Sequence, residues 1–222
     1  RQFLQGAAAA SALAAFPRFS IGKSGPSANS KLNVAFIGVG GRARTLISGL
    51  KDENFVAFCD VDDAWAAKTY SEYPTVPRFR DFREMLDKKG NQIDAVCIAI
   101  PDHSHFVATY TAMSLGKHVL TEKPLTHNVW QARTLRKAAK YFNVITQMGN
   151  QGHATEGIRY VKEWYQSGAI GEVDEVVTYN PGPKFRPVGS FKRPTRIPPT
   201  SQAIPNTLNW DLWKGPTVED VK

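Results

Sequence analysis

Along residues 32–151, short apolar runs alternate with segments whose apolar residues recur at helical spacing. A continuous run such as 93–100 is typical of a central parallel strand that helices cover on both faces. The alternation predicts an α/β fold, a doubly wound parallel sheet. Asp81 is expected to start one helix and Gly116 to end another. Strands are predicted at 32–37, 55–59, 76–79, 93–100, 118–121 and 144–148, and helices at 45–50, 64–72, 81–87, 106–115 and 128–141.

A glycine-rich turn follows the first strand and leads into the first helix, with the sequence Gly38-Val-Gly40-Gly41-Arg42-Ala43. A strand, such a turn and a helix form the context of a dinucleotide-binding fingerprint. Gly38 would permit the tight turn, Gly40 would let the backbone approach a pyrophosphate, and Ala43 would let the helix pack closely on the strand. The unpaired N–H groups at the start of the helix would then face the phosphates.

Asp60 directly follows the second predicted strand, about 20 residues after the glycine-rich turn. A carboxylate there would bind the hydroxyls of the adenosine ribose and repel a 2′-phosphate, which favours NAD over NADP. Arg42 and Arg44 keep NADP open as the less favoured cofactor. The alternative is structural, because Asp60, Asp62 or Asp63 could simply start the next helix as its N-cap.

Polar clusters follow five of the predicted strands at the point where each strand ends. In a doubly wound sheet, ligands bind outside the carboxyl ends of the strands, so the clusters are expected to meet at one edge. This convergence supports a ligand site more strongly than any single motif does. The clusters lie at 38–41, 60, 101–105, 122–124 and 149–151.

The composition of the 222 residues, 42% hydrophobic and 22% charged, is that of a globular protein with a sizeable core. The formal net charge of +8 would suit an anionic partner, but acids are interleaved with the basic residues. The densest basic stretch, 184–196, lacks the pattern of a nucleic-acid-binding module, so no such partner is expected. Cys59 and Cys97 are interpreted as buried thiols, and no metal site is expected because neither has ligand spacing.

Residues 1–31 are predicted to be an export signal and linker. A charged start, an apolar run at 6–16 and small residues beyond it describe a secretory signal, and the run is too short to span a membrane. The start, Arg1-Gln-Phe-Leu-Gln5, resembles the second half of a twin-arginine signal. We therefore expect export to a bacterial periplasm and no membrane association after signal removal. A low-complexity tail is the alternative.

Residues 152–222 show a different pattern from the part before them. An amphipathic helix at 156–168 and a strand at 171–179 precede a long stretch, 180–205, without regular periodicity. One helix and one strand cannot bury themselves alone, so this region is predicted to be the incomplete start of a second domain. Its last large apolar side chains, which are expected to be exposed, are Trp210, Leu212 and Trp213.

Together, these motifs resemble the Gfo/Idh/MocA family, named after glucose–fructose oxidoreductase, inositol dehydrogenase and MocA. The resemblance covers about residues 32–222, and the Glu-Lys-Pro at a strand end is its most telling part. The segment 210–216 resembles the secreted, sugar-acting members. The motifs are Gly38-Val-Gly-Gly-Arg-Ala43, Cys59-Asp60, Ile100-Pro-Asp-His-Ser-His105, Glu122-Lys-Pro-Leu125, Gly149-Asn-Gln-Gly-His153 and Gly168-Ala-Ile-Gly-Glu-Val173.

The resemblance implies an NAD-binding Rossmann domain at 32–151, then a substrate and oligomerisation domain at 152–222 with a mainly antiparallel sheet. It implies hydride transfer between a sugar or polyol carbon and nicotinamide, in a homo-oligomer. Lys123 matches the family lysine beside the nicotinamide and the substrate hydroxyl, and is the predicted catalytic residue. The predicted cofactor-binding residues are Gly38, Gly40, Gly41, Arg42, Asp60, Pro101, His105, Glu122, Lys123 and Asn150.

One departure from the family pattern concerns the second domain. The family completes its site there with Asp-x-x-x-His on a helix, and no such motif occurs in residues 153–222. We therefore expect this chain to bind NAD but to lack a complete proton-transfer pair. Two alternatives stay open: an exported NAD-dependent glycoside hydrolase that oxidises its sugar transiently, and a non-catalytic NAD-binding protein.

Overall fold

A computed structural model of the chain describes residues 31–177 and 202–217. Six strands and seven α-helices occur in this part of the chain. The strands are β1 (Asn33–Ile37), β2 (Asn54–Cys59), β3 (Arg78–Phe79), β4 (Ala95–Ile98), β5 (His118–Glu122) and β6 (Thr146–Gly149). The helices are α1 (Ala43–Gly49), α2 (Asp63–Glu72), α3 (Phe82–Lys89), α4 (His105–Ser114), α5 (Val129–Tyr141), α6 (Glu156–Gln166) and α7 (Trp210–Lys214).

The six strands form one sheet in the order β3-β2-β1-β4-β5-β6, and every neighbouring pair is parallel. The predicted doubly wound sheet is confirmed. The strand order reverses between β1 and β4, which is where open α/β sheets bind their ligands. The register pairs Ile37 with both Cys59 and Ile98, so the turns after β1, β2 and β4 lie at one edge.

The core has two layers because side chains of β1 alternate between the faces of the sheet. Val34 and Phe36 pack on one face with residues of α1 and α2, and Ala35 and Ile37 pack on the other with residues of α3, α4 and α5. Helices on both faces explain why the strands read as continuous apolar runs.

Both cysteines lie buried in this core as free thiols, as predicted. Burial raises the pKa of both thiols, to about 12 for Cys97. An un-ionised buried thiol is a poor nucleophile, so neither cysteine is a candidate for chemistry.

Several helix ends carry the caps that their residue types favour. The Asp81 carboxylate accepts from the N–H of Arg83 at 2.8 Å, and Gly116 ends its helix at φ +72°, so both predicted caps are confirmed. The N-cap of α2 is Asp62, whose Oδ1 accepts from the N–H of Ala64 at 2.9 Å. Asp60 is therefore not the cap of this helix.

The predicted strand at 171–179 is wrong over residues 171–177, where no strand forms. A strand needs a neighbour for its N–H and C=O groups, and this segment has none among the described residues. α6 forms as predicted, with its apolar side chains exposed, Trp164 by 52%. Residues 1–30 and the basic stretch 184–196 lie outside the described residues.

Among residues 31–177 and 202–217, no helix combines the length and apolarity that a membrane crossing requires.

The exposure that the sequence predicted for Trp210, Leu212 and Trp213 is only partly met. Trp213 is 37% exposed, whereas Trp210 and Leu212 are half-buried, because α7 packs on the Rossmann domain.

Candidate dinucleotide site

A cavity of about 720 Å³ opens at the carboxyl edge of the sheet, where β1 and β4 lie side by side. Its volume falls within the range of small-molecule sites, about 300–1,000 Å³. Six of the predicted cofactor-binding residues line it: Gly38, Gly40, Gly41, Arg42, Asp60 and Pro101. The structure thus brings the ends of β1, β2 and β4 together as the strand-end pattern predicted.

The glycine-rich turn is held rigidly against the sheet. Gly38 has φ +82°, and a Cβ there would overlap the carbonyl oxygen of Ala99, so only glycine fits. Its N–H donates to the carbonyl of Cys59 at 2.7 Å, and the Thr69 hydroxyl donates to the carbonyl of Val39 at 2.6 Å. Ala43, fully buried, allows the close helix packing that was predicted.

Trp65 covers the outer side of the turn, a feature that sequence reasoning missed. A Cβ at Gly40 would overlap its indole ring, so Gly40 faces this side chain where the sequence predicted space for a pyrophosphate. The indole is 66% exposed and lines the cavity. The sequence signal that could have revealed this contact is an aromatic residue in the first turn of the helix after Asp60.

Asp60 is buried and accepts three backbone hydrogen bonds. Its Oδ2 accepts from the N–H groups of Val39 and Gly40 at 2.9 and 3.3 Å, and its Oδ1 accepts from that of Asp62 at 3.1 Å. Burial raises the pKa of this carboxyl group, although the three N–H groups oppose the shift. A carboxylate has about four acceptor positions, so one remains for a ribose hydroxyl.

The N–H groups of Gly41 and Arg42 have no acceptor among residues 31–177 and 202–217. Both residues line the cavity, so two unpaired donors adjoin it beside the buried carboxylate of Asp60. Backbone N–H groups between a strand and a helix bind phosphate oxygens well. The residues present therefore fit a dinucleotide, with its pyrophosphate at the turn and one ribose at Asp60.

Glu122, at the end of β5, is buried and connects the glycine-rich turn with the loop after β6. Arg42 Nε donates to its Oε1 at 2.8 Å, and Gln151 Nε2 donates to both carboxylate oxygens at 3.0 and 2.8 Å. Burial would raise the pKa of Glu122, but the hydrogen bonds from Arg42 and Gln151 lower it, and the net pKa lies below its usual value. Arg42, predicted as a cofactor contact, thus pairs with Glu122, and Gln151 is a partner that sequence reasoning missed.

Lys123 and Asn150 do not line the large cavity. They line a separate open recess together with Gln151, Gly152, His153 and Ile158. The side chain of Lys123 is exposed, and its backbone N–H donates to Glu122 Oε2 at 3.3 Å. The Glu122 carboxylate therefore lies between the recess and the glycine-rich turn.

His105 lies beneath this edge rather than on the cavity wall. It is 1% exposed, and its two ring nitrogens lie 2.5 Å from the carbonyl oxygen of Pro124 and 2.8 Å from that of Ile100. These contacts tie the end of β4 to the loop after β5, so His105 holds the edge in place. The predicted cofactor-binding role of His105 stays a prediction.

A parallel α/β sheet with this turn, this carboxylate and this cavity defines a dinucleotide-binding Rossmann protein. Comparison with known proteins narrows the class. Residues 32–150 match the Gfo/Idh/MocA family, described as an oxidoreductase family with an NAD-binding Rossmann fold. The chain belongs to this family.

Known relatives include several dehydrogenases. Levoglucosan dehydrogenase of Pseudarthrobacter phenanthrenivorans is 29% identical over 93 residues, 42% of this chain and 23% of its own length. D-Xylose 1-dehydrogenase (NADP(+)) of Hypocrea jecorina is 38% identical over 80 residues, 36% of this chain and 18% of its own. The structure of myo-inositol 2-dehydrogenase from Lactobacillus plantarum matches at 29% identity and a TM-score of 0.58, over 64% of this chain and 43% of that one. The chain thus spans less than half the length of these relatives.

Proposed function

We propose that the protein is an NAD-dependent oxidoreductase that transfers a hydride between a sugar or polyol carbon and nicotinamide. The observation that carries the proposal is the Glu122 carboxylate, which connects the turn beside the cavity to the recess that holds Lys123. A site of this kind can bind a dinucleotide on one side and a small hydroxylated molecule on the other. The relatives named for levoglucosan, xylose and myo-inositol support this substrate class.

Each residue has a distinct role in this proposal. Bound NAD(H) would supply the hydride acceptor or donor. The N–H groups of Gly41 and Arg42 hold the pyrophosphate, and Asp60 accepts from a ribose hydroxyl. Lys123 Nζ donates a hydrogen bond to the substrate oxygen. In oxidation the hydride would go to the nicotinamide and the hydroxyl proton to solvent. In reduction the ammonium stabilises the negative charge that develops on the carbonyl oxygen as the hydride arrives.

The preference for NAD over NADP rests on the charges around the cavity. A 2′-phosphate near Asp60 would require an unpaired cation, and each arginine that lines the cavity already donates to a carboxylate. Arg44, the other arginine beside the turn, donates to Glu72 through Nη2, while its buried Nη1 has no partner among the described residues. The pairs are Arg42–Glu122, Arg80–Asp63, Arg83–Asp81 and Arg44–Glu72.

Lys123→Met tests the catalytic assignment. With NAD+ and a panel of polyols and sugars, the rate at which NADH absorbance appears at a saturating substrate should fall by about 100-fold or more, the usual cost of removing one donor that stabilises a developing charge. The affinity for NADH should change by less than about threefold, since the side chain lies outside the cavity. Lys140→Met, at an exposed lysine of α5, is the matched control. Equal and measurable turnover of the two variants would contradict the role of Lys123.

Three finer proposals accompany this function. Export to the periplasm rests on residues 1–16 and is tested by cell fractionation, and co-purifying NAD(H) is expected if the cofactor is loaded first. The homo-oligomer is tested by light scattering.

The glycoside hydrolase alternative is tested by adding aryl glycosides to the turnover assay. Release of the aglycone without an added oxidant would favour this alternative.

A further inference from the structure

Residues 207–216, here called the strap, lie outside the segment that matches the family and yet form part of the cavity wall. One end of the strap is fixed to the loop after β2. Asp63 N–H donates to the carbonyl of Thr207 at 3.1 Å, and Asn209 N–H donates to the carbonyl of Val61 at 2.8 Å. This end therefore lies beside Asp60.

The other end of the strap is fixed to the loop after β4. His103 Nε2 lies 2.8 Å from the carbonyl oxygen of Trp213, and the two rings meet edge to face with centroids 5.3 Å apart. Gly215 has φ +54°, and a Cβ there would lie only 2.6 Å from Ser104 Oγ. The backbone of the strap thus closely approaches this loop.

β1 lies between β2 and β4 in the sheet, so a segment fixed to both neighbours must cross the end of β1. The glycine-rich turn is at that end, and a dinucleotide bound to the turn runs in the same direction as the strap. The cavity of about 720 Å³ exists with the strap in place. The strap therefore encloses space instead of filling it.

The middle of the strap presents an ordered apolar surface. Asn209 Oδ1 caps α7 by accepting from the N–H of Leu212 at 3.1 Å, and the rings of Trp210 and Trp213 stack with centroids 5.0 Å apart. Leu212 and Trp213 both line the cavity. These contacts give the wall a defined conformation before any ligand arrives.

The strap also covers Ser104, in the loop after β4. The hydroxyl oxygen of Ser104 is buried beneath Gly215 and has no hydrogen-bond partner among the described residues. The strap therefore packs directly on this loop and leaves no gap between them.

We propose that the strap is the outer wall of the dinucleotide site, with Leu212 and Trp213 in contact with the bound cofactor. The inference rests on the NAD(H) site of the proposed function. The dinucleotide then lies between the turn and the strap, and it leaves only when the strap opens. Loss of an aromatic wall contact should speed its release.

The test measures the rate at which excess NAD+ displaces NADH from the protein, followed by nicotinamide fluorescence. Trp213→Ala should release NADH about tenfold faster or more, and Leu212→Ala should show a smaller increase in the same direction. Trp130→Ala is the matched control, because Trp130 is 67% exposed on α5 and does not line the cavity. Its release rate should stay within about twofold of wild type.

The outcomes separate the two proposals. If wild type binds no NADH, the proposed function fails. If wild type binds NADH and Trp213→Ala matches Trp130→Ala, the strap is not a cofactor wall. Tighter binding by Trp213→Ala would show that the strap competes with the cofactor and would also overturn the inference. Hydrogen exchange of wild type needs no variant: saturating NADH should slow the amides of 207–216, and unchanged exchange would contradict the proposal.

Discussion

Asp60 and Glu122 are two buried carboxylates at the same edge of the sheet, and their surroundings differ. Asp60 accepts from three backbone N–H groups and pairs with no cation among the described residues, and burial raises its pKa. Glu122 accepts from a guanidinium and an amide side chain, and its pKa is lowered despite burial. The fold disfavours the ionised form of one carboxyl group and favours that of the other.

This difference separates a carboxyl group whose ionised form destabilises the fold from one whose ionised form stabilises it. The folded pKa of Asp60 lies above its unfolded value, so its contribution to stability is present at low pH and is lost as the pH rises through the folded pKa. Glu122 behaves in the opposite way, and its contribution is lost as the pH falls through its lowered pKa. At neutral pH, the burial of Asp60 thus lowers the stability of the fold, whereas Glu122 stabilises the fold and also accepts from the backbone of Lys123.

Glu122→Gln should have the largest effect on stability. The free energy of unfolding at pH 7 should fall by about 2 kcal/mol, because a buried hydrogen bond between charged groups is lost. The cost stays below that of a fully buried pair, since the Arg42 side chain is 41% exposed. Urea denaturation measures it. Glu84→Gln, at an exposed carboxylate paired with Lys88, should cost less than about 0.5 kcal/mol, and equal costs would remove the distinction.

The stability difference between wild type and Glu122→Gln should depend on pH. It should be fully present above 4.5, the ordinary pKa of a glutamate, and shrink as the pH falls through the lower folded value. The trend is measured by the urea denaturation midpoints of wild type and Glu122→Gln, taken from neutral pH down to pH values below the ordinary pKa of Glu122. A difference that stays constant over this range would mean that Glu122 acts through its shape and not its charge.

Asp60→Asn should have a smaller effect on stability than Glu122→Gln. The free energy of unfolding at pH 7 should change by less than about 1 kcal/mol, because losing an unfavourably buried charge offsets the loss of one good acceptor. The measurement is the same urea titration beside Glu122→Gln. A loss as large as that of Glu122→Gln would show that Asp60 is needed mainly to fold the glycine-rich turn.

Local sequence signals predicted much of this edge. The alternation of apolar runs and helical segments, the glycine-rich turn and the acid after β2 all depend on neighbours in sequence, and the structure contains each. Asp81 capped its helix for the same reason. These features could be predicted because the residues that determine them are close together in the sequence.

The remaining features depend on contacts between distant residues. Arg42 and Glu122 are 80 positions apart, so no local pattern distinguishes their pairing from a cofactor contact of Arg42. The strap joins the site through residues about 145 positions beyond β2. Its apolar side chains therefore looked exposed, because their partners on the Rossmann domain were not recognisable from sequence.

The cofactor specificity of Asp60→Asn tests the central claim most directly. We expect wild type to bind NADH at least about tenfold more tightly than NADPH, by titration calorimetry, because Asp60 accepts from the ribose hydroxyl and repels a 2′-phosphate. Asp60→Asn should lose most of this discrimination while folding as well as wild type. Equal affinity of wild type for the two cofactors, or unchanged discrimination in the variant, would contradict the assignment of this edge as an NAD site.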